Sequence, residues 1–110
     1  MSAESLDRTL TALADPSRRR VVDLLCERPR RAGELAEAIQ LPFPAMSRHL
    51  RALRESGLVE EDRHESDSRV RIYRLRQEPM NELKEWLEQT ERLWTKQLAA
   101  FKAHLQKTRK

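Results

Sequence analysis

The sequence contains few of the residues on which several classes of protein depend. Among 110 residues there are 2 glycines, which argues against long flexible linkers, and 1 cysteine, Cys26, which excludes an internal disulfide. With 5% aromatic and 36% charged residues the chain is too polar for a membrane protein, and no apolar run approaches the roughly 20 residues of a spanning helix. The N-terminus shows no export signal. We therefore expect residues 1–110 to form one cytoplasmic domain.

Positive charge is concentrated in one part of the chain. Residues 15–54 hold nine arginines against five acidic residues, whereas the remainder is balanced, so this segment carries the whole net charge of +4. A local basic excess favours a polyanionic partner, nucleic acid first, although a solvated surface produces the same pattern. Within the segment, we expect one of Arg18, Arg19 and Arg20 to be structural, through a salt bridge to the next helix.

Hydrophobic periodicity and helix signals predict five helices and two strands. Asp15 is a suitable N-cap and Pro16 a suitable first residue for the second helix, and Gly57 suits the left-handed position after the fourth. The predicted helices cover about 5–14, 16–28, 32–39, 43–56 and 79–106, and the strands cover 59–63 and 69–75 around a polar turn at 64–68. The first helix has an apolar face of Leu6, Leu10, Leu13 and Ala14.

The fourth helix has two contrasting sides. At 100° per residue, Met46, Leu50 and Leu53 fall together and define the side that we expect to be buried. The roughly opposite side consists of Pro44, Ser47, Arg48, Arg51 and Glu55.

The last helix carries a long apolar stripe that includes both tryptophans. At helical spacing, the stripe contains Leu83, Trp86, Leu87, Thr90, Leu93, Trp94, Gln97, Leu98, Phe101 and Leu105. On a helix about 40 Å long, it exceeds what so small a core can cover, and an exposed apolar face of this size marks an interface. A second copy of the chain is the simplest partner.

Four segments, in order and spacing, resemble one protein family. DPSRRRVVDLL, GELAEAIQL, MSRHLRALRESGLVE and RVRIYRL are similar to the corresponding parts of ArsR/SmtB-type bacterial repressors, over about residues 6–75. The resemblance implies a mainly α fold with a small β-hairpin, a winged helix-turn-helix of order α-α-α-α-β-β-α. Residues 31–57 would form the helix-turn-helix, 59–75 the wing and 79–106 the C-terminal dimerisation helix.

The resemblance also implies a homodimer that binds double-stranded operator DNA. The fourth helix would enter the major groove, where an α-helix fits, and the hairpin would lie near the backbone or minor groove. By position, the DNA-contacting residues would be Phe43, Pro44, Ser47 and Arg48. From their own charge and place on the helix and the wing, His49, Arg51, Arg69 and Arg71 are further candidates to contact DNA, although the acidic residues of the wing oppose the last two. Within this set His49 either reaches a phosphate or packs against the hairpin. The first and last helices would form the dimer interface through Leu6, Leu10, Leu83, Trp86, Leu87, Thr90, Leu93, Trp94, Leu98 and Phe101.

The chain departs from the family pattern where the fourth helix begins. Relatives usually carry small polar residues where this chain has Pro42, Phe43 and Pro44. Proline costs a helix little in its first turn, because the N–H that it lacks has no intrahelical partner there. Phe43 either offers an apolar contact, for example to a thymine methyl group, or folds back as a staple against its own domain.

We expect no metal and no cofactor. The metal sites of the family use cysteines in the third helix or paired His and carboxylate residues in the last. Here the third helix has no thiol, and His104 has no such partner three or four residues away. A tetrahedral zinc site needs about four ligands. The last helix is most similar to a metal-free subgroup, whose members repress their own operon and are often encoded beside a small polyketide-cyclase-like protein.

Cys26 is the remaining candidate sensor. A lone thiol on the second helix is more often a small core residue, whereas the neighbouring charges of Arg28 and Arg30 would favour a reactive thiolate. The main prediction is thus an autoregulatory repressor, with an unknown small-molecule effector as a further partner. One alternative is a repressor that responds to oxidation of Cys26. Another is a winged helix that binds proteins and not DNA, and no catalytic motif indicates an enzyme.

Overall fold

The computed structural model describes residues 3–64 and 67–108. In chain order, its elements are α1 Ala3–Leu13, α2 Pro16–Glu27, β1 Arg30–Arg31, α3 Ala32–Ile39, α4 Phe43–Glu55, β2 Val59–His64, β3 Asp67–Leu75 and α5 Gln77–Thr108. The predicted mainly helical fold with a small hairpin is confirmed. α3 and α4 occupy the segment predicted as the helix-turn-helix, and β2 and β3 the segment predicted as the wing. Residues 65–66 of the predicted turn lie outside the described residues. No described helix is long and apolar enough to cross a membrane.

The start of α2 forms as its sequence predicts. The Oδ1 atom of Asp15 accepts hydrogen bonds from the backbone N–H groups of Ser17, at 2.8 Å, and Arg18, at 3.2 Å. These bonds satisfy two of the donors that a helix leaves free in its first turn. The Nη1 atom of Arg19 donates to the carbonyl oxygen of Leu13 at 2.7 Å, so this arginine joins the end of α1 to α2.

Among the described residues, none of Arg18, Arg19 and Arg20 forms the salt bridge to the third helix that we expected. The link is made instead by Arg28, just after α2, whose Nη2 lies 3.1 Å from Oε2 of Glu34 in α3. The other carboxylate oxygen of Glu34 accepts from the backbone N–H of Arg31 at 3.2 Å, at the start of α3. The expected salt bridge was wrong because Arg20 lies beside Ala38 of α3, which carries no charge. The structural arginine expected within the triplet is Arg19, through its hydrogen bond to Leu13.

A tight reversal of the chain joins α3 to α4. Gln40 is left-handed, with φ of 60°. The N–H of Leu41 donates to the carbonyl of Ala36 at 3.0 Å, and that of Gln40 to Glu37 at 3.2 Å, which is the Schellman pattern. Pro42 then continues in an extended conformation, and α4 begins at the next residue.

The buried side and the end of α4 agree with the prediction. Met46, Leu50 and Leu53 are at most 1% exposed. Gly57 has φ of +85°, a conformation that favours glycine, and its N–H donates to the carbonyl of Arg54. Leu58 is fully buried, as expected for the apolar residue that closes this kind of helix end.

The sheet has one strand more than the sequence predicts. Its order is β1-β3-β2 with antiparallel pairing throughout, and in β1 Arg30 pairs with Tyr73 and Arg31 with Ile72. A two-residue strand has no periodicity that could reveal it. The strand β1 joins the start of α3 to the wing and so affects the surface described below.

One continuous core holds the helices against the sheet. Its buried residues are Ala12, Val21, Val22, Leu25, Leu35, Ala36, Ile39, Met46, Leu50, Leu53, Leu58, Val59 and Tyr73. The buried face of α1 is rotated from the predicted one: Leu6 is buried, but Leu10 and Ala14 are exposed, and Thr9 and Ala12 take their place. Leu13 also packs against the core, so the packed side of α1 keeps two of the predicted residues and is turned away from Leu10 and Ala14.

Most of α5 projects beyond this core. Its first turn is anchored by Pro79, which is buried, and by Met80, which packs against the core. At 32 residues the helix is about 48 Å long, and the molecule measures 72 × 30 × 22 Å. The exposed apolar residues along it are Trp86, Leu87, Leu93, Trp94, Leu98, Phe101 and Leu105.

Candidate nucleic-acid interface

The outward side of α4 is the centre of the candidate interface. Pro44, Ser47, Arg48 and Arg51 are all exposed, as the helical pattern predicts. They are held outward because Met46, Leu50 and Leu53 occupy the opposite side in the core. A helix fixed along its whole buried side presents its other side as a rigid surface.

Phe43 is the first residue of α4, and its side chain is 57% exposed. This exposure is incompatible with a staple folded back into the domain, so the outward alternative is the one that the structure adopts. Pro44 follows it in the first turn, where its missing N–H leaves no helical bond unmade.

Two arginines on this side differ in their surroundings. Arg48 is exposed and has no ion-pair partner within residues 3–64 and 67–108. Arg51 lies 3.1 Å, from Nε to Oε1, from Glu55 one turn further on, and both side chains are about three-quarters exposed. Such an exposed pair contributes only a few tenths of a kcal/mol, so a phosphate could replace the carboxylate at little cost.

Two grooves lie between α4 and the sheet. The first, of about 510 Å³, is lined by Ser47, Arg51, Arg54, Glu55, Arg71 and Tyr73. The second, of about 390 Å³, is lined by Arg31, Ala32, Gly33, Phe43, Ser47, Arg69, Val70, Arg71 and Tyr73. Ser47 and Arg71 border both grooves. Five of the eight residues predicted to contact DNA therefore lie on one continuous surface, and Pro44 and Arg48 are exposed next to it.

His49 lies on the flank of α4 and is partly buried. It lies near Asp15, at the start of α2. The pKa of Asp15 is held below its ordinary value mainly by the hydrogen bond from the backbone N–H of Arg18, with a smaller contribution from His49. A phosphate contact by His49 remains a prediction.

Two arginines of the wing have carboxylate partners in β2. Arg74 lies 2.7 Å from both Glu60 and Asp62, and Arg71 lies 2.9 Å from Glu61. Arg69 is exposed at the edge of the second groove. The wing therefore offers less free positive charge than its arginine content suggests.

Two arginines of these grooves were missed by the sequence analysis. Arg54 borders the first groove, and its position seven residues after Ser47 places it on nearly the same side of α4, so a complete helical wheel would have found it. Arg31 borders the second groove because β1 places it beside the wing. No pattern in the sequence indicates that placement.

The structure also bears on the two candidate means of sensing, the thiol of Cys26 and a metal site. Cys26 is exposed, so its interpretation as a small core residue is wrong. The reason is its place on α2: the helix turns Val22 and Leu25 into the core, and the next residue points outward. Over the part of the chain that the structure describes, no group of three or more His, Cys, Asp or Glu side chains is placed to hold a metal ion.

A buried helical scaffold, an exposed helix after a tight turn and a two-stranded wing define a winged helix-turn-helix protein. The family model described as bacterial regulatory protein, arsR family, matches residues 15–61. The solved structure of an ArsR family transcriptional regulator, RHA00566, superposes with a TM-score of 0.74 at 30% identity, over 86% of this chain and 95% of that one. The chain belongs to the ArsR family, which consists of transcriptional regulators and not of enzymes.

Two curated relatives show how far the sequence similarity extends. The HTH-type transcriptional regulator Rv2034 of Mycobacterium tuberculosis is 44% identical over 55 residues, which are 50% of this chain and 51% of the relative. The transcriptional repressor SdpR of Bacillus subtilis is 31% identical over 58 residues, which are 53% of this chain and 64% of the relative. The chain thus matches about half to two-thirds of the length of these relatives.

Proposed function

We propose that the chain is a homodimeric, sequence-specific DNA-binding repressor of transcription that acts in the cytoplasm. The observation that carries the proposal is the outward side of α4, where Arg48 is exposed without a carboxylate partner among the described residues and Ser47 is exposed one residue before it. Arginine can bind the O6 and N7 atoms of guanine with two hydrogen bonds, and serine can bond to a base edge or a phosphate.

The division of roles follows from the position along the helix. Residues at the N-terminal end of a recognition helix usually reach the base edges, so Phe43, Ser47 and Arg48 would read sequence. Pro44 would add apolar contact there. Arg51, Arg69, Arg71 and His49 would bind phosphates and fix the position of the helix.

Salt dependence tests the binding itself. Each neutralised phosphate releases counterions, so four phosphate contacts would weaken binding on the order of a hundredfold between about 50 and 200 mM salt. Fluorescence anisotropy with a labelled duplex measures this directly. A flat response would contradict DNA binding and favour the alternative of a winged helix that binds proteins.

Dimerisation would place two copies of α4 in successive major grooves. The exposed stripe of α5 supports this proposal, because Leu93, Trp94 and Phe101 are each more than half exposed on a helix whose main neighbour among the described residues is α1. Of the two α1 residues predicted to lie in the dimer interface, Leu10 is exposed and could contribute to it, whereas Leu6 is already buried in its own chain. A two-fold dimer requires an operator with inverted-repeat symmetry.

The resemblance to metal-free relatives supports repression of the chain's own operon without a metal signal. The DNA upstream of its own gene is therefore the first duplex to test, searched for an inverted repeat. Binding should be the same with and without a chelator. A chelator-sensitive complex would contradict this part of the proposal.

A repressor that responds to oxidation is the second candidate, and the exposure of Cys26 favours it. An exposed thiol can be oxidised, whereas a buried one is protected. Mass spectrometry after peroxide treatment, followed by a DNA-binding assay, separates the candidates. Loss of binding on oxidation, absent in Cys26→Ser, would establish the thiol switch.

A further inference from the structure

One largely buried carboxylate connects α4 to the wing. Glu61 of β2 has a side chain that is only 13% exposed. Its Oε2 accepts from Nη1 of Arg54 at 2.8 Å and from the hydroxyl of Tyr73 at 3.0 Å. Its Oε1 lies 2.9 Å from Nη1 of Arg71. The two arginines come from different elements, α4 and β3, and meet on the two oxygen atoms of a single carboxylate.

The carboxylate cancels only part of the charge of this cluster. Two guanidinium groups and one carboxylate leave a net charge of +1. Each guanidinium has five N–H donors, and the bonds to Glu61 use few of them. The side chains of Arg54 and Arg71 remain 46% and 48% exposed, and both border the 510 Å³ groove beside Ser47 and Arg51.

Glu61 differs from the other carboxylates paired with arginines on this surface. Glu55 is 69% exposed and Glu60 is 46% exposed, so water competes for their bonds. Glu61 has lost most of its water and in exchange accepts two hydrogen bonds and forms an ion pair with Arg71. Burial raises the pKa of the Tyr73 hydroxyl, and the hydrogen bond from this hydroxyl to Glu61 raises it further. Bonds in such shielded surroundings hold their partners more rigidly.

We propose that Glu61 is a positioning residue for DNA binding, which holds Arg54 and Arg71 side by side as a seat for a backbone phosphate. The inference rests on the proposed function. Guanidinium groups suit phosphate because their donors are arranged as a planar fork. Arginines already fixed in place lose less conformational entropy when the phosphate arrives.

The inference makes a prediction opposite to that of simple charge. Removing a carboxylate from a basic surface should strengthen binding to DNA, since it removes a repulsion. If Glu61 positions the two arginines, Glu61→Gln should weaken binding although the protein becomes more positive. Glu60→Gln is the matched control, because Glu60 is the preceding residue of β2 and is paired with Arg74 at 2.7 Å.

The test uses the full chain and a random-sequence duplex, because a phosphate seat does not depend on the operator. We expect Glu61→Gln to lower the affinity about tenfold and Glu60→Gln to leave it unchanged or raise it. Equal effects, or tighter binding by Glu61→Gln, would overturn the inference. Wild-type protein that binds no duplex would instead overturn the proposed function.

A second comparison separates positioning from a general structural role. In the Arg54→Ala/Arg71→Ala background, Glu61→Gln should cause no further loss of affinity, because it acts through those arginines. A persisting loss would show that Glu61 only supports the fold. If Glu61→Gln does not fold, the Arg54→Ala/Arg71→Ala variant alone decides: it should reduce the slope of log affinity against log salt by about 1, because one phosphate contact is lost, and an unchanged slope would refute the seat.

Discussion

The helices α4 and α5 carry the same kind of apolar stripe and use it differently. In α4 the stripe residues Met46, Leu50 and Leu53 are at most 1% exposed, whereas in α5 Leu93, Trp94 and Phe101 are 59–65% exposed. The reason lies in their neighbours. α4 is packed against α2, α3 and β2, whereas α5 beyond its anchored first turn has α1 as its main neighbour among the described residues. An apolar stripe therefore does not by itself show whether a helix side is covered by its own chain.

The largest effect is expected on the covered side. Leu53→Ala should lower the free energy of unfolding by about 2–5 kcal/mol, because it leaves a cavity in a close-packed core. Leu98→Ala on α5 removes the same atoms from a residue that is 56% exposed in its own chain. Urea unfolding at several protein concentrations measures both.

For Leu98→Ala, we expect the loss to depend on protein concentration, because it would reflect the association of two chains. Equal and concentration-independent losses in both variants would remove the distinction between the two stripes.

The next effect concerns the α5 stripe directly. Leu93→Glu or Trp94→Glu would place a charge in a desolvated interface and should shift the protein from dimer to monomer, at a cost of about 2 kcal/mol or more. Sedimentation velocity measures the mass. Thr95→Glu adds the same charge beside the stripe and should leave the dimer intact. A persisting dimer in the first two variants would place the interface elsewhere.

The comparison also applies to the two sides of α4. Arg48→Ala should weaken operator binding by about 1–3 kcal/mol while leaving the unfolding free energy unchanged, because the side chain is exposed and unpaired within the described part of the chain. Arg92→Ala removes the same charge from α5 as a control. If affinity for random DNA falls as much as affinity for the operator, Arg48 contacts phosphate and does not read a base.

The smallest effect is expected at the start of α2, which supports the buried side of α4. Asp15→Ala should destabilise the fold by about 1 kcal/mol through loss of the cap. Because folding lowers the pKa of Asp15, its stabilisation is present above the unfolded-state pKa and is lost as the pH falls through the lower, folded value. Thermal unfolding from about pH 7 to about pH 3 measures this.

Asp15→Asn is the matched control for the pH dependence, since it keeps a capping oxygen and does not titrate. The part of the acid-induced loss that belongs to Asp15 should be absent in this variant. An identical acid response in the Asp15→Asn and wild-type proteins would show that this carboxylate is not responsible.

Features that depend on residues close together in the chain were predictable. Asp15 and Pro16 begin α2, Gly57 ends α4, and the spacing of Met46, Leu50 and Leu53 sets the buried side. The cap bonds lie within about one helical turn, and the spacing that brings the three apolar residues to one side spans two turns, so the local sequence contains both signals. The outward side of α4, with Ser47 and Arg48, follows from the same geometry.

Features that depend on contacts between distant segments had no such signal. Phe43 had two sequence-compatible positions, and the packing of the domain left it outward at 57% exposure. Cys26 was expected in the core, but α2 turns Val22 and Leu25 inward instead.

The amino-acid sequence by itself determined the order of the helices, the hairpin and the side of α4 that is free to meet DNA, because periodicity and helix-end chemistry are local. Only the tertiary structure decided that β1 joins the sheet and that Arg54 and Arg71 meet on Glu61. Those contacts join α4 to both strands of the wing. Their geometry depends on how the core aligns these elements, and no short stretch of sequence contains that information.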